Sequence, residues 1–330
     1  MHELVRVWLV NGPLPVMDVA NLITQYIYDF YGRYSFGINC DSHITSLAIL
    51  PDGNVASSTW SDKIHVWDVV SGKCMLTLVG HISTVWALGA SAKNTGVGKD
   101  KNRDEYILAS GSSDKTVRLW DMPSGKCFRT LIGHTNCVHS LIFLQSGKLA
   151  SGSRDETVRV WDTQRGELMQ TLSGHSHDVY SLAVLTDGKL VSCCFDNMIR
   201  IWDIENGKCV STLAGHSQYV TSLIVVPSDK LASGSYDGTV RVWDTLNHTC
   251  LFTLIGHTGY VASLSVLPDG RLVSGSYDTT MRVWDVVTGA LMLIMKPVVP
   301  SFDCSVRTMA VLHDGRLVTG SATTPITIWK

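Results

Sequence analysis

The chain has 330 residues, 45% of them apolar and 17% charged, against roughly 25% charged in an average globular domain. That composition supports a large buried core and excludes a disordered chain, a coiled coil or a charge-rich tail. Lys and Arg total 27 and Asp and Glu total 29, a formal charge of −2, so no global charge draws the chain to nucleic acid or to an anionic membrane.

Near the N-terminus, the apolar run from Leu4 to Val10 is interrupted by Arg6, and no small-residue cleavage site follows, which argues against a secretory signal. No apolar stretch reaches the ~18 residues that would suggest a membrane span. Pro13 and Pro15 bracket Leu14, and then Val16, Val19, Ala20, Ile23, Ile27 and Phe30 recur at spacings of three and four. This predicts a helix with one apolar face, so residues 1–30 read as a helical cap. Tyr31 to Ile38 reads as a strand with no nearby partner in sequence.

From there the chain is periodic. Trp-Asp pairs begin at Trp67, Trp120, Trp161, Trp202, Trp243 and Trp284, a further unit ends at Trp329, and the spacings are 53, 41, 41, 41, 41 and 45. Gly-His pairs at Gly80-His81, Gly133-His134, Gly174-His175, Gly215-His216 and Gly256-His257 share the period of 41 from the second onward. Within one unit, four short apolar runs are separated by turn residues such as Pro227-Ser228-Asp229-Lys230 and Asp237-Gly238, which predicts a four-stranded antiparallel meander. The second unit carries 12 extra residues between its first and second strands, including Lys93, Lys99, Lys101 and Arg103. These read as a solvated loop and a candidate second docking surface. The last unit stops at its third strand, so Tyr31 to Ile38 is expected to supply the fourth and close a ring.

Period, dipeptides and turn residues together make the chain resemble WD-repeat β-propellers over roughly residues 31–330. The resemblance implies an all-β fold, a seven-bladed WD-repeat β-propeller, here with a short N-terminal helix, in which each unit gives one four-stranded blade around a central channel. Leu14-Pro15, the apolar residues after it and Ile23 are similar to the start of an F-box, a segment that binds the adaptor subunit of a ubiquitin ligase.

Five units repeat a His, an Asp and a Trp: His81, Asp114, Trp120; His134, Asp155, Trp161; His175, Asp196, Trp202; His216, Asp237, Trp243; and His257, Asp278, Trp284. Ser110, Ser151, Ser192, Ser233 and Ser274 lie nearby. The set has the composition of a hydrolase triad, but five copies at one position cannot be five active sites. The resemblance implies a buried hydrogen-bond network in each blade, with Asp accepting from His. In the first unit Cys40 and Ser61 replace the His and Asp, and in the seventh Phe302 and Thr323 do so, which makes their seam the expected soft point. Arg118, Arg159, Arg200, Arg241 and Arg282 form a further series, expected to be scaffold.

Nine cysteines occur. Cys74, Cys127, Cys209 and Cys250 repeat at one place in their units and so do not face each other, which fits a reducing, cytoplasmic setting better than a disulfide framework. Cys193-Cys194 reads as a pair of core thiols on a strand rather than a metal site. No phosphate-binding loop, zinc motif or unrepeated cluster of titratable groups appears, so the sequence carries no catalytic residue, metal or cofactor.

Function is expected where the repeats differ. The resemblance implies three partner-facing positions per blade on the top surface. Here they give an aromatic set, Trp60, Trp86, Tyr180, Phe195, Tyr219, Tyr236, Tyr260 and Tyr277, with His139, Arg154 and Arg307 among them. The expectation is a monomeric, non-enzymatic scaffold or adaptor that binds peptide or loop segments of other proteins, with nucleic acid disfavoured and no membrane partner. The alternative is the substrate-recognition subunit of a ubiquitin ligase complex, using the N-terminal segment.

Overall fold

The computed structural model describes residues 34–38, 43–92, 106–122, 124–296, 305–321 and 326–329. Among them, 28 strands form seven four-stranded antiparallel sheets, the blades of a propeller. Six blades take their strands consecutively, from inside to outside: residues 44–78, 85–132, 138–173, 179–213, 220–254 and 261–295 for blades 1 to 6. Blade 7 takes Thr308–Val311, Leu317–Gly320 and Ile326–Trp329 from the end of the chain and Tyr34–Ile38 from its beginning. That last strand pairs Tyr34 with Trp329 and Ile38 with Ile326, with a bulge between Tyr34 and Phe36. One blade is thus built from both ends of the ring, and closure covers the edge that Ile326–Trp329 would otherwise expose.

No helix is present among the described residues; the helix expected over residues 1–30 and the F-box-like segment lie outside them. Most of the 12-residue insertion does as well, though its flanks, Val85–Ala92 and Tyr106–Ser112, are the first and second strands of blade 2 as expected. The turns follow their chemistry. Gly53, Gly188, Gly270 and Gly315, each after an Asp, take φ near +86 to +88°, where a Cβ would be strained.

Seven apolar clusters hold the ring, one at each junction between neighbouring blades. Each second strand is sandwiched between neighbours, and Val55–Thr59, Leu149–Ser153, Leu190–Cys194 and Leu272–Ser276 are buried at every residue. Blades 7 and 1 share Ile44, Val55, Trp67, Val318, Ile326 and Ile328. Their seam therefore carries a continuous apolar core. Hydroxyls add a polar stitch beside the channel: Ser46, Ser181, Ser222 and Ser263 accept from the backbone N–H groups of Leu88, Leu223, Leu264 and Met309 in the next blade, at 3.0–3.2 Å.

Candidate binding face and the networks beneath it

In blades 2 to 6 the Trp indole donates to the second-strand serine at 2.7–2.8 Å. The same oxygen lies 2.6–2.8 Å from the His Nε2. In blades 2, 3, 5 and 6 the His Nδ1 lies 2.7–2.8 Å from the Asp carboxylate. The proton order that satisfies every group runs Trp N–H to Ser O, Ser O–H to His Nε2, and His Nδ1–H to Asp. Burial alone would raise each carboxyl. The bond from His and those from Thr116, Thr157, Thr239 and Thr280 outweigh it and hold Asp114, Asp155, Asp237 and Asp278 well below the usual carboxylate range. The serines are fully buried and already accept from Trp, so a substrate has no path to the hydroxyl; the arrangement resembles a triad in composition and is a scaffold in geometry.

Blade 4 departs from the expected network. Met198 stands where the other four blades have Thr, so Asp196 lacks that hydroxyl. Arg200 turns inward instead: its Nη1 donates to Asp196 at 2.5 Å and to His175 Nδ1 at 2.7 Å. Asp196 then lies 3.6 Å from the imidazole, and His175 must carry its proton on Nε2. Burial, opposed by Asp196, leaves His175 below its ordinary value. His175, Cys194 and Asp196 bring three potential metal ligands within 4.8 Å of one another, but the guanidinium already sits against two of them and supplies the positive charge. Cys193 and Cys194 are both buried, as expected of core thiols, and burial pushes the Cys194 thiol up to about 12.

The glycine of four Gly-His pairs lies against the other arginines of the series and the buried Trp ring. A Cβ on Gly80, Gly133, Gly215 or Gly256 would meet the Nη1 of Arg118, Arg159, Arg241 or Arg282 at 2.5–2.9 Å, and the Trp ring just beyond. The end blades keep part of the pattern: Trp67 donates to Ser57 at 2.8 Å and Trp329 to Thr319 at 2.9 Å. Ser61 takes over the Asp turn, accepting from Lys63 N–H at 3.2 Å. Cys40, Phe302 and Thr323 lie outside the described residues.

On the face where the inner strands begin, the variable residues meet as one arc. Trp86 touches His139 edge-on at 5.6 Å, and His139 stacks on Tyr180 at 5.0 Å. Tyr180 stacks on Phe195 at 4.8 Å and Phe195 on Tyr219 at 4.3 Å. Tyr219 leans on Tyr236 at 5.7 Å, Tyr236 stacks on Tyr260 at 4.2 Å, and Tyr260 meets Tyr277 at 5.9 Å. Arg307 lies over both Tyr277, at 5.4 Å, and Trp60, at 5.9 Å, which carries the arc from blade 2 round to blade 1. Trp60, Tyr219, Tyr260 and Tyr277 are 39–50% exposed, while the others are half-buried. Trp60, Trp86, His139, Tyr180, Tyr236, Tyr277 and Arg307 of the arc line a cavity of about 280 Å³ at the mouth of the channel, together with Thr45, Thr221 and Ala262.

Electrostatics divide the polar members. Burial, with the nearby Arg154 charge, lowers His139 to about 4, so the imidazole is neutral at pH 7 and acts as another flat ring. Burial holds the Tyr180 phenol un-ionised. Arg154 is exposed and pairs with Asp178 at 3.5 Å, so its charge is offset rather than offered alone. His43, the top-face position before Ile44 in the first unit, lies tilted against Trp60 at 4.3 Å; sequence reasoning missed the four serine stitches and the inward turn of Arg200. The signals were present: serines recurring in the inner strands, and Met198 in a position otherwise held by Thr.

The profile of the family described as WD domain, G-beta repeat, matches residues 34–68, 72–121, 125–162, 166–203, 207–244 and 248–285. The chain belongs to the WD-repeat family. Its first matched repeat opens on Tyr34–Ile38, the strand that the ring lends to blade 7, so sequence repeat and WD blade are offset by one strand. Among curated relatives, the chain is 36% identical over 114 residues to Mitochondrial division protein 1 of Eremothecium gossypii, covering 31% of this chain and 16% of that protein. It is 29% identical over 119 residues to WD repeat-containing protein pop1 of Schizosaccharomyces pombe, covering 35% and 13%. It is 58% identical over 40 residues to Nuclear distribution protein PAC1 of Cryptococcus neoformans, covering 12% and 9%. The aligned stretches thus span about a fifth or less of these relatives.

Proposed function

We propose that the chain is a non-catalytic protein-interaction adaptor that binds a peptide or loop of a partner across the aromatic arc. The observation that carries this reading is the arc itself. Nine rings and one guanidinium, contributed by all seven blades, make consecutive contacts, and six of the rings with the guanidinium line one cavity. Aromatic and Arg side chains that are partly exposed and held rigid by neighbours are the groups that dominate binding hot spots. The stacking fixes their rotamers before a partner arrives, so little side-chain entropy is lost on binding. The relatives support the coarser role. Their names belong to different processes, mitochondrial division and nuclear distribution, so what this chain has in common with them is a repeat scaffold.

The test is affinity capture from the native cell extract, wild type beside a variant with Tyr219, Tyr260 and Tyr277 changed to Ala. These three are exposed, so the ring should fold without them. Partners retained by the wild type and lost by a folded variant support the arc. The same partners on both proteins sink it and move the site elsewhere.

A further inference from the structure

Most polar side chains at the channel mouth are taken up by the fold. Thr45 and Thr221 donate to Val85 O at 2.6 Å and Val261 O at 2.8 Å in the next blade. Trp86 donates to Ser113 at 2.6 Å. Ser46, Ser181 and Ser263 accept from the backbone of the next blade. Ser140 has no partner and turns toward Gly152. Three phenols differ from these. Tyr180, Tyr236 and Tyr277, from blades 4, 5 and 6, line the cavity, and among the described residues none of their hydroxyls has a hydrogen-bond partner. The three groups stand close enough to feel one another's charge. Burial, then the phenols of Tyr236 and Tyr277, raises Tyr180, and burial, then Tyr277 and Tyr260, raises Tyr236. Both therefore keep the proton that makes them donors.

We propose that the partner segment inserts one Asp or Glu side chain into this mouth, its carboxylate accepting hydrogen bonds from the hydroxyls of Tyr180, Tyr236 and Tyr277. The proposal rests on the arc being the binding face and names the chemistry that face selects. A phenol can donate or accept, so its surroundings set the sign of the guest. Arg307 lines the cavity, and among the described lining residues there is no Asp or Glu. A Lys or Arg guest would meet a like charge and no counter-charge. A carboxylate has lone pairs enough for three donors, and hydrogen bonds to a charged acceptor are the strong ones. Those bonds replace the water that the guest gives up on entry, which an Asn or Gln guest with half the acceptor capacity and no charge repays less well. The exposed rings of Trp60, Tyr219 and Tyr260 are left to cover the residues that flank the acidic one.

The probe is a phage-displayed library of random peptides selected on the full chain, with the variant carrying Ala at 219, 260 and 277 as the counter-selection. Sequences that need the arc should share one Asp or Glu. A synthetic copy should bind about tenfold more weakly when that residue is replaced by its amide, the lower end for hydrogen bonds to a charged group. The same peptide should lose about tenfold or more on a chain with Tyr180→Phe, Tyr236→Phe and Tyr277→Phe, which keeps every ring and removes only the hydroxyls. The melting temperature of that variant should not fall, because the hydroxyls bond to nothing among the described residues. Arc-dependent peptides with no shared acidic residue, an unchanged affinity for the Phe variant, or a lowered melting temperature overturn the proposal and leave the arc as the binding face. A library that yields no arc-dependent sequence overturns both.

Discussion

Ser233 shows how one side chain holds a blade. Its oxygen accepts from Trp243 at 2.8 Å while its proton goes to His216 at 2.8 Å, and all three are buried. Ser233→Ala leaves a buried donor and a buried acceptor unpaired and should cost about 3 kcal/mol in denaturant unfolding; exposed Ser217→Ala should stay within about 0.5 kcal/mol. The carboxylates set the acid response. Asp114, Asp155, Asp196, Asp237 and Asp278 are held below their ordinary value, so each adds stability that is complete above about pH 4 and is lost as pH falls below it. His139 and His175 are also lowered, mainly by burial, so the unfolded chain takes up their protons first and stability falls from about pH 6.5 downward. Both signs agree. Thermal melts from pH 7 to pH 2.5 should show a shallow decline that steepens below about pH 4, and Asp237→Asn should reduce the steep part.

The turns after the network Asp illustrate the balance within an element. The position following Asp is left-handed in five blades: Lys115 at φ 71°, Glu156 at 69°, Asn197 at 67°, Gly238 at 77° and Thr279 at 69°. Asn and Gly tolerate that region, and a β-branched residue does not. Thr279→Asn should therefore stabilise the protein by about 1 kcal/mol, measured by urea unfolding, with Asn197 as the natural precedent. Strand positions and turn chemistry were legible from the period of 41, because alternation and turn residues are local properties. The inward turn of Arg200 was not, although its cause, Met198, was in plain view: a vacated hydrogen bond is refilled by whichever long side chain can reach it, and reach is a property of the folded blade.

At the scale of the whole ring, Tyr34–Ile38 is the one described strand that joins the beginning of the chain to its end. Replacing it with a Gly-Ser stretch of equal length should expose the Ile326–Trp329 edge, lower the calorimetric melting temperature and promote self-association seen by light scattering. The seam that the missing His and Asp residues suggested would be weak has an apolar core and a backbone bond from Ile44 N–H to Ser321 O at 3.2 Å, while the retained Trp–hydroxyl bonds lie within blades 1 and 7.

The sequence by itself determined the blade count, because a repeat places equivalent residues at equivalent sites; the repeated network and the top-face positions came from its resemblance to WD-repeat propellers. Only the tertiary structure decided that Trp86, His139, Tyr180, Phe195, Tyr219, Tyr236, Tyr260 and Tyr277 touch in succession, that Arg307 carries the arc to Trp60, and that Arg154 is matched by Asp178. Contacts between blades depend on the angle at which one sheet follows the next. That angle is set by the packing of the inter-blade clusters rather than by any residue's own preference.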